Sequence, residues 1–355
     1  NACREGTRRA DGAVYKRIGC EETTDAAANS EHYKSQVPNG AGRGVASGFW
    51  FNGGGQSCAT LSVNADGTVN LIEGSVDIGS SRAAMAMIVA ETLGLTADDV
   101  NPTVADTDSI GHTDGTGGSR VTYATGHACY RAAEDLKAEM CVRAARHLEV
   151  EEGDVEFVDD EFVCQSDAAK KATFVEIAAQ QGSTGGPLAG KGTVNSSSPG
   201  NAFATHIVDV AIDEETGKVD VLRYTAVQDV GKAIHPSYVE GQIQGGVAQG
   251  VGWALNEGYF YNEDGSMANP TFLDYRMPTS FDLPMVETIL VEVANPSSPH
   301  GIRGVGEVPI VPPMAAVANA IQNAIGVRLT ELPMSPDRVV AALKEARQSY
   351  QEAAG

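Results

Sequence analysis

Between Cys58 and Leu71 apolar residues alternate with polar ones about Asp66-Gly67, with Ala59, Leu61 and Val63 on one limb and Val69 and Leu71 on the other. Side chains of an extended chain point to opposite faces in turn, and Asp-Gly suits a tight reversal, so this pattern predicts a β-hairpin. Ile207 to Tyr224, turning at Glu215-Thr216-Gly217, repeats it, and Val286 to Val293 predicts a further strand. The period becomes helical at Met85, Ile88, Val89 and Leu93, and again at Cys129, Ala132, Ala133, Leu136, Met140, Ala144 and Leu148. A third helix runs through Met314, Val317, Ile321 and Ile325 and stops at Gly326, where glycine accepts the left-handed cap. A last one opens at Ser335-Pro336-Asp337, with proline at the first helical position.

Strands and helices in irregular succession predict an α+β protein of two mixed α/β lobes. Residues 1–39 are polar and weakly patterned and read as an extended arm or linker. Acidic residues from Glu149 to Asp160, followed by a Gly/Ser-rich stretch, place a boundary between a first lobe, 40–155, and a second, 156–355. No period of about 20 to 50 residues recurs, which excludes a solenoid.

Composition narrows the function classes. With 42% hydrophobic residues, 40 glycines and 20% charged residues in 355, the chain has the makings of a packed core rich in tight turns. Forty-seven acidic against 25 basic residues give a net charge of −22, which repels phosphate backbones and argues against nucleic acid as a partner. Six cysteines without a C-x-x-C pair argue against a structural zinc or iron–sulfur cluster and fit reduced thiols in a cytoplasm. No apolar run approaches the roughly 20 residues of a membrane span, and the N-terminus lacks a signal-peptide core. The chain opens on Asn1 instead of methionine, which fits a processed, split or incomplete polypeptide. His112, His127, His206, His235 and His300 lack metal-ligand spacing, so no residue here is expected to ligate a metal.

Four segments combine glycine with the opening of a helix: Asp77-Ile78-Gly79-Ser80-Ser81-Arg82, Gly115-Thr116-Gly117-Gly118-Ser119-Arg120, Gly241-Gln242-Ile243-Gln244-Gly245-Gly246 and Gly304-Val305-Gly306-Glu307. A helix start exposes unpaired N–H groups, and glycine lets a ligand reach the backbone, so four such turns can surround a large phosphorylated cofactor. Ordinary tight turns are the other reading. Glu307 follows two glycines and precedes Val308-Pro309-Ile310-Val311-Pro312-Pro313. There it is either a general base whose carboxylate has lost hydration or a first-turn glutamate that stabilises a helix dipole.

These residues together resemble the molybdopterin-binding subunit of xanthine dehydrogenase-type molybdenum hydroxylases. The resemblance covers nearly the whole chain. It includes Glu73-Gly74-Ser75, Asp106-Thr107-Asp108, Asp229-Val230-Gly231, His235-Pro236, Glu240-Gly241-Gln242, Gln249-Gly250, Asp274-Tyr275-Arg276 and the tail from Gly301 to Ala346. It implies that Gly79, Ser80, Ser81, Gly117, Gly118, Ser119, Arg120 and Gln242 line a molybdopterin, as its cytosine dinucleotide, while Val305, Gly306 and Glu307 approach the molybdenum. Glu307 is then the base in the oxidative hydroxylation of an N-heteroaromatic compound, a purine or an aldehyde by water-derived oxygen.

The same scaffold also serves carbon monoxide dehydrogenase and hydroxybenzoyl-CoA reductase chemistry, and a non-catalytic scaffold subunit is a further alternative. The family commonly has Gly-Gln-Gly where this chain has Gly79-Ser80-Ser81, so the amide contact near the cofactor is expected to be lost or water-mediated. The N-terminal portion of such subunits precedes the region resembled here. The resemblance therefore implies a split enzyme of the nicotinate dehydrogenase type, with a larger molybdopterin subunit and with [2Fe-2S] and FAD on separate subunits.

Overall fold

The computed structural model describes residues 2–79, 81–104, 109–197 and 200–354. It is an α+β protein built around two four-stranded sheets. One sheet has the order β1 (Ala41–Asn52), β9 (Gly200–Ile212), β10 (Val219–Asp229), β11 (Glu287–Val291). The other has the order β8 (Ala189–Ser196), β2 (Gly55–Val63), β3 (Val69–Glu73), β4 (Val100–Val104). The alternation read at Cys58–Leu71 and Ile207–Tyr224 produces the antiparallel pairs β2/β3 and β9/β10.

Both sheets follow one plan. A hairpin's second strand is joined by a helix to a parallel neighbour, because parallel strands need a crossover: α3 (Ser81–Leu93) links β3 to β4, and α7 (Pro236–Leu255) links β10 to β11. A second helix then crosses a glycine-bearing edge strand: α4 (Gly126–Leu148) lies on β8 and α8 (Pro312–Ile325) on β1. The contact is close enough to require glycine. A Cβ on Gly192 would stand 2.0 Å from the Ala128 carbonyl oxygen, and one on Gly44 would stand 1.9 Å from that of Ala316.

The edge strands are exchanged between the sheets. β1 runs through Gly53-Gly54 straight into β2 of the other sheet, and β8 ends at Ser196 shortly before β9 begins at Gly200. The sheets therefore do not follow the lobe ranges read from the sequence. β1 belongs with the second half of the chain. Conversely, the small sheet β5 (Val155–Val158), β6 (Glu161–Cys164), β7 (Lys171–Thr173) and helices α5 (Phe174–Ala179) and α6 (Gln181–Thr184) lie past residue 155. Even so, Phe162, Phe174 and Ile177 are buried in the core of the β2–β3–β4–β8 sheet, together with Leu61, Leu71 and Met85. Each such side chain stabilises the fold by about 2 kcal/mol through lost apolar exposure.

The stretch read as an extended arm is another departure. It carries α1 (Cys20–Asn29) and α2 (Glu31–Lys34), and α1 packs on β9, β10 and β11 on the face away from α7 and α8, where Ala27 meets Ile207 and Val227. Short polar residues hid this helix because it buries alanine in place of large side chains. His32 of α2 is wholly buried, with Nδ1 2.8 Å from the Thr225 hydroxyl and Nε2 3.2 Å from Asp209, which Arg43 also grips through Nε and a terminal nitrogen at 2.7 Å each.

Among the described residues one helical stretch, Val308–Ile325, combines 18 residues with a mean hydropathy of 1.2. By length and composition it suits a membrane span, yet Ala316, Val317, Ala320 and Ile321 are buried where α8 covers β1 and β9. It reads as a core helix. The closing helix, α9 (Pro336–Ala354), follows Ser335, whose hydroxyl donates to the Asp337 carboxylate at 2.6 Å.

His206 on β9 is fully buried, its Nδ1 3.0 Å from the Tyr224 hydroxyl, and burial pushes its pKa down to about 3. The folded pKa lies below the unfolded one, so this group's contribution to stability is complete above pH 6.5 and is lost as pH falls from 6.5 towards 3. At about 1.4 kcal/mol per unit, acidification from pH 6.5 to 4.5 is expected to cost about 3 kcal/mol through this group. Urea titrations at both pH values check it: His206→Asn should flatten the acid slope by that amount relative to wild type, and an unchanged slope refutes it.

Candidate active site

Four loops leave the C-terminal ends of β3, β4, β10 and β11, and they meet around one cavity of about 290 Å3. They are the corresponding loops of the two sheets, brought face to face. Strand ends in such arrangements present free backbone N–H groups to ligands.

The β3 loop brings Gly79 and Ser81, and the β4 loop brings Gly117, Ser119 and Arg120. From the β10 loop and α7 come Lys232, His235, Tyr238 and Gln242, and from the β11 loop Arg303 to Glu307. Of the residues singled out from the sequence, Gly79, Ser81, Gly117, Ser119, Arg120, Gln242, Val305, Gly306 and Glu307 thus meet at one place. Gly118 is turned away, its carbonyl accepting from the Gly53 amide at 2.6 Å. Ser80 and Asp106-Thr107-Asp108 lie outside the described residues.

Gly79, Gly117 and Gly304 precede helices as expected, but Gly241, Gly245 and Gly246 do not form a turn. They lie inside α7, whose Ile243, Val247, Val251 and Ala254 form a buried stripe. Gln242 consequently projects from a helix. Its amide lies between two loops: a Cβ on Gly79 would meet Gln242 Nε2 at 2.2 Å, and one on Gly306 would meet Oε1 at 3.1 Å. Gly79 also has φ +60°, a backbone shape that residues with a Cβ rarely adopt. Further along α7, Gly246 and Gly250 lie against Pro309 and Pro313, where added Cβ atoms would come within 2.4 and 2.6 Å. Close packing on the helix fixes the chain just past Glu307.

The Glu307 carboxylate is half-buried and held by reciprocal bonds. Ser119 Oγ donates to Glu307 Oε2 at 3.0 Å, and the Glu307 backbone N–H donates back to Ser119 Oγ at 3.0 Å. Ser119 reaches this position with φ 56°. Gln228 Nε2 donates to the Val305 carbonyl at 3.0 Å and steadies the same loop.

Arg120 lines the cavity, but its guanidinium is taken up elsewhere. It donates to the carbonyls of Gly54 at 2.6 Å, Asp114 at 2.9 Å and Gln56 at 2.6 Å, and to the Ser57 hydroxyl at 2.7 Å. Its role is to hold the strand crossover against the β4 loop. Arg303 does the matching task in the other sheet. It donates to the carbonyls of Val293 and Asn201 at 3.2 Å each and to that of Arg17, and its Nε stands 3.2 Å from Asp229. Neither side chain of this ion pair is exposed. Burial pushes the Asp229 carboxyl up to about 6, against the opposing pull of Arg303 and of the Gly231 and Gly19 amides.

Lys232, His235 and Tyr238 were not foreseen as site residues. His235 and Tyr238 stack at 3.8 Å between ring centroids, and Lys232 pairs with Glu292 at 3.3 Å. The only hint in the sequence is their closeness to His235-Pro236, since a residue's reach into a cavity depends on how a loop is folded.

Bare glycine backbone at the ends of facing strands leaves this cavity open to a polar ligand. Residues 14–284 match the molybdopterin cofactor-binding domain. The chain is 33% identical over 294 residues to the xanthine dehydrogenase molybdenum-binding subunit of Escherichia coli O157:H7, covering 79% of this chain and 38% of that one. It is 32% identical over 272 residues to the carbon monoxide dehydrogenase large chain of Afipia carboxidovorans, covering 75% and 34%. Quinoline 2-oxidoreductase from Pseudomonas putida 86 superimposes with a TM-score of 0.85 at 25% identity, over 96% of this chain and 48% of that one. This chain belongs to the molybdopterin cofactor-binding family, as a molybdopterin-binding subunit of the xanthine dehydrogenase type. It spans less than half the length of these relatives.

The residues present fit that cofactor. A Cβ on Gly117 would meet nothing within 4 Å, so the open wall is a cradle that a side chain would fill. Removing Arg303 would leave the buried Asp229 charge unpaired beside the Glu307 loop. Arg303→Gln is expected to cost about 3–5 kcal/mol in the urea unfolding free energy, and Asp229→Asn in the same chain to recover a good part of it. A loss below about 1 kcal/mol would show that the pair does not anchor the loop.

Proposed function

We propose that this chain supplies the general base, Glu307, of a molybdenum hydroxylase that inserts water-derived oxygen into an N-heteroaromatic compound, a purine or an aldehyde. The observation that carries this is the Glu307 carboxylate, fixed by Ser119 at the wall of a glycine-lined cavity formed by four strand-end loops. An acceptor held in one orientation loses little freedom when it takes a proton, which favours proton transfer over a freely rotating carboxylate.

The residues assign the other tasks. Gly79, Gly117 and Gly306 give backbone access to molybdenum with molybdopterin, which we read as its cytosine dinucleotide, and Gln242 bridges the Gly79 and Gly306 loops. When bound, the group supplies the oxidising equivalents and the activated oxygen. Val230, Ile234 and Val239 give the cavity an apolar side. Relatives named for quinoline and xanthine support heteroaromatic or purine substrates. We further propose that the part of the molybdenum-binding subunit outside these residues completes the site, with [2Fe-2S] and FAD subunits carrying electrons away.

Metal and nucleotide analysis of the purified complex, with Glu307→Gln beside wild type, tests the reading. Equal molybdenum and pterin contents are expected, with turnover of the variant reduced by about 10²–10⁴-fold. Full turnover in the variant refutes the base assignment, and absence of molybdenum and pterin refutes the function.

A further inference from the structure

The two four-stranded sheets end corresponding strands in the same way. β10 closes on Asp229 and β3 on Glu73, both buried, and the loop that follows each lines the cavity. Asp229 accepts from the backbone N–H of Gly231, two residues on, and Glu73 accepts from that of Ser75. Burial pushes both carboxyls up, against the pull of these bonds. In the loop that follows the parallel neighbour stands a buried arginine, Arg303 after β11 and Arg120 after β4. At the arginine the two differ. Arg303 Nε lies 3.2 Å from Asp229, whereas Arg120 pairs with no carboxylate among the described residues.

Arg120 is joined to Glu73 all the same, through three buried hydroxyls. Its terminal nitrogen donates to Ser57 Oγ at 2.7 Å, Ser57 Oγ lies 3.1 Å from Thr125 Oγ1, Thr125 Oγ1 lies 2.7 Å from Ser75 Oγ, and the Ser75 hydroxyl bonds the Glu73 carboxylate. Arginine only donates and a carboxylate accepts, so the hydroxyl protons align from cation to anion. Thr125 enters the chain from a π-turn, Val121–Thr125, closed by the Gly126 N–H on the Val121 carbonyl five residues back. Such wide turns recur at functional sites. Apolar side chains of the same size would avoid desolvating a carboxylate and three hydroxyls, so packing alone does not account for the chain.

We infer that Glu73 is the counter-charge of Arg120, acting through Ser75, Thr125 and Ser57, and that these four are positioning residues for the cofactor cavity. They do with a relay what Asp229 does for Arg303 by direct contact. Ser75 opens the loop that bears Gly79, and Arg120 follows Ser119, which fixes the Glu307 carboxylate, so one chain sets both loops on this side of the cavity. The role in catalysis rests on the proposed function.

Two substitutions at the middle of the chain, made in the purified complex, test it. Thr125→Val keeps the shape and removes the hydroxyl, while Thr125→Ser keeps the hydroxyl and removes a methyl group. Hydrogen exchange of the backbone amides of residues 75–79 and 117–121 is read beside molybdenum content and turnover per molybdenum. Thr125→Val is expected to speed exchange in both stretches and to lower turnover per molybdenum by about tenfold each, and Thr125→Ser to recover most of both. The reverse order, which a packing role gives, overturns the inference, as does equal behaviour of the two variants. Glu73→Gln should reproduce Thr125→Val, and the two combined should lose little more than either alone; losses that multiply overturn the relay. Should Thr125→Val fail to fold, Ser75→Ala, which removes a single oxygen, takes its place. A wild-type complex without molybdenum refutes the function, and the exchange rates then still decide the relay.

Discussion

Arg303 lies where four stretches of chain meet, and the geometry of the site depends on it. From one buried guanidinium it reaches the Asp229 carboxylate and the carbonyls of Arg17, Asn201 and Val293, tying the N-terminal segment, β9, β10 and the chain just past β11 to the loop that ends in Glu307. Burial raises the cost of every unmade bond here, since an arginine without its partners would be a stranded charge. The Glu307 loop therefore has one arrangement. Arg120 does the same for the opposite loop, gripping Gln56 at the start of β2 much as Arg303 grips Asn201 at the start of β9. Two arginines in equivalent positions thus hold two sets of loops across a shared space. Each does so by satisfying carbonyls, which leaves the cavity wall to glycine backbone and to the few side chains that act.

Local pattern revealed most of the elements. Alternation marked both hairpins, and the apolar stripes of α3, α4 and α8 marked those helices, because a half-buried strand or helix must show its period. α7 was hidden. Glycine normally weakens a helix by about 1 kcal/mol, so Gly241, Gly245 and Gly246 read as a turn. In place, Gly246 and Gly250 are what let Pro309 and Pro313 approach, and packing outweighs the intrinsic preference. The lobe boundary failed for a different reason: which sheet receives a strand is decided by pairing across the whole chain, and neither β1 nor β8 carries a mark of it.

The site shows the same division. Glu307, Ser119 and the glycines were legible because bare backbone next to a helix start is a local feature. That Ser119 meets Glu307 across 188 residues was not. Arg120 was foreseen at the cavity, yet the work of its guanidinium is structural, while Lys232 and Tyr238 enter the wall only through the course of the β10 loop and α7. Resemblance to a family joined these scattered motifs before any contact between them was known.

The exchange of edge strands also governs how the chain reaches this state. Ala41 pairs with Ala211, so the first strand waits for a partner about 170 residues further along. A chain leaving the ribosome exposes β1, with Phe49, Trp50 and Phe51, long before β9 exists. Contacts between residues so far apart close slowly, since the loop entropy is lost before the pairing repays it. The first half can assemble only part of its own sheet until β8 arrives. This topology ties the assembly of the cavity to two long-range pairings, β1 with β9 and β2 with β8.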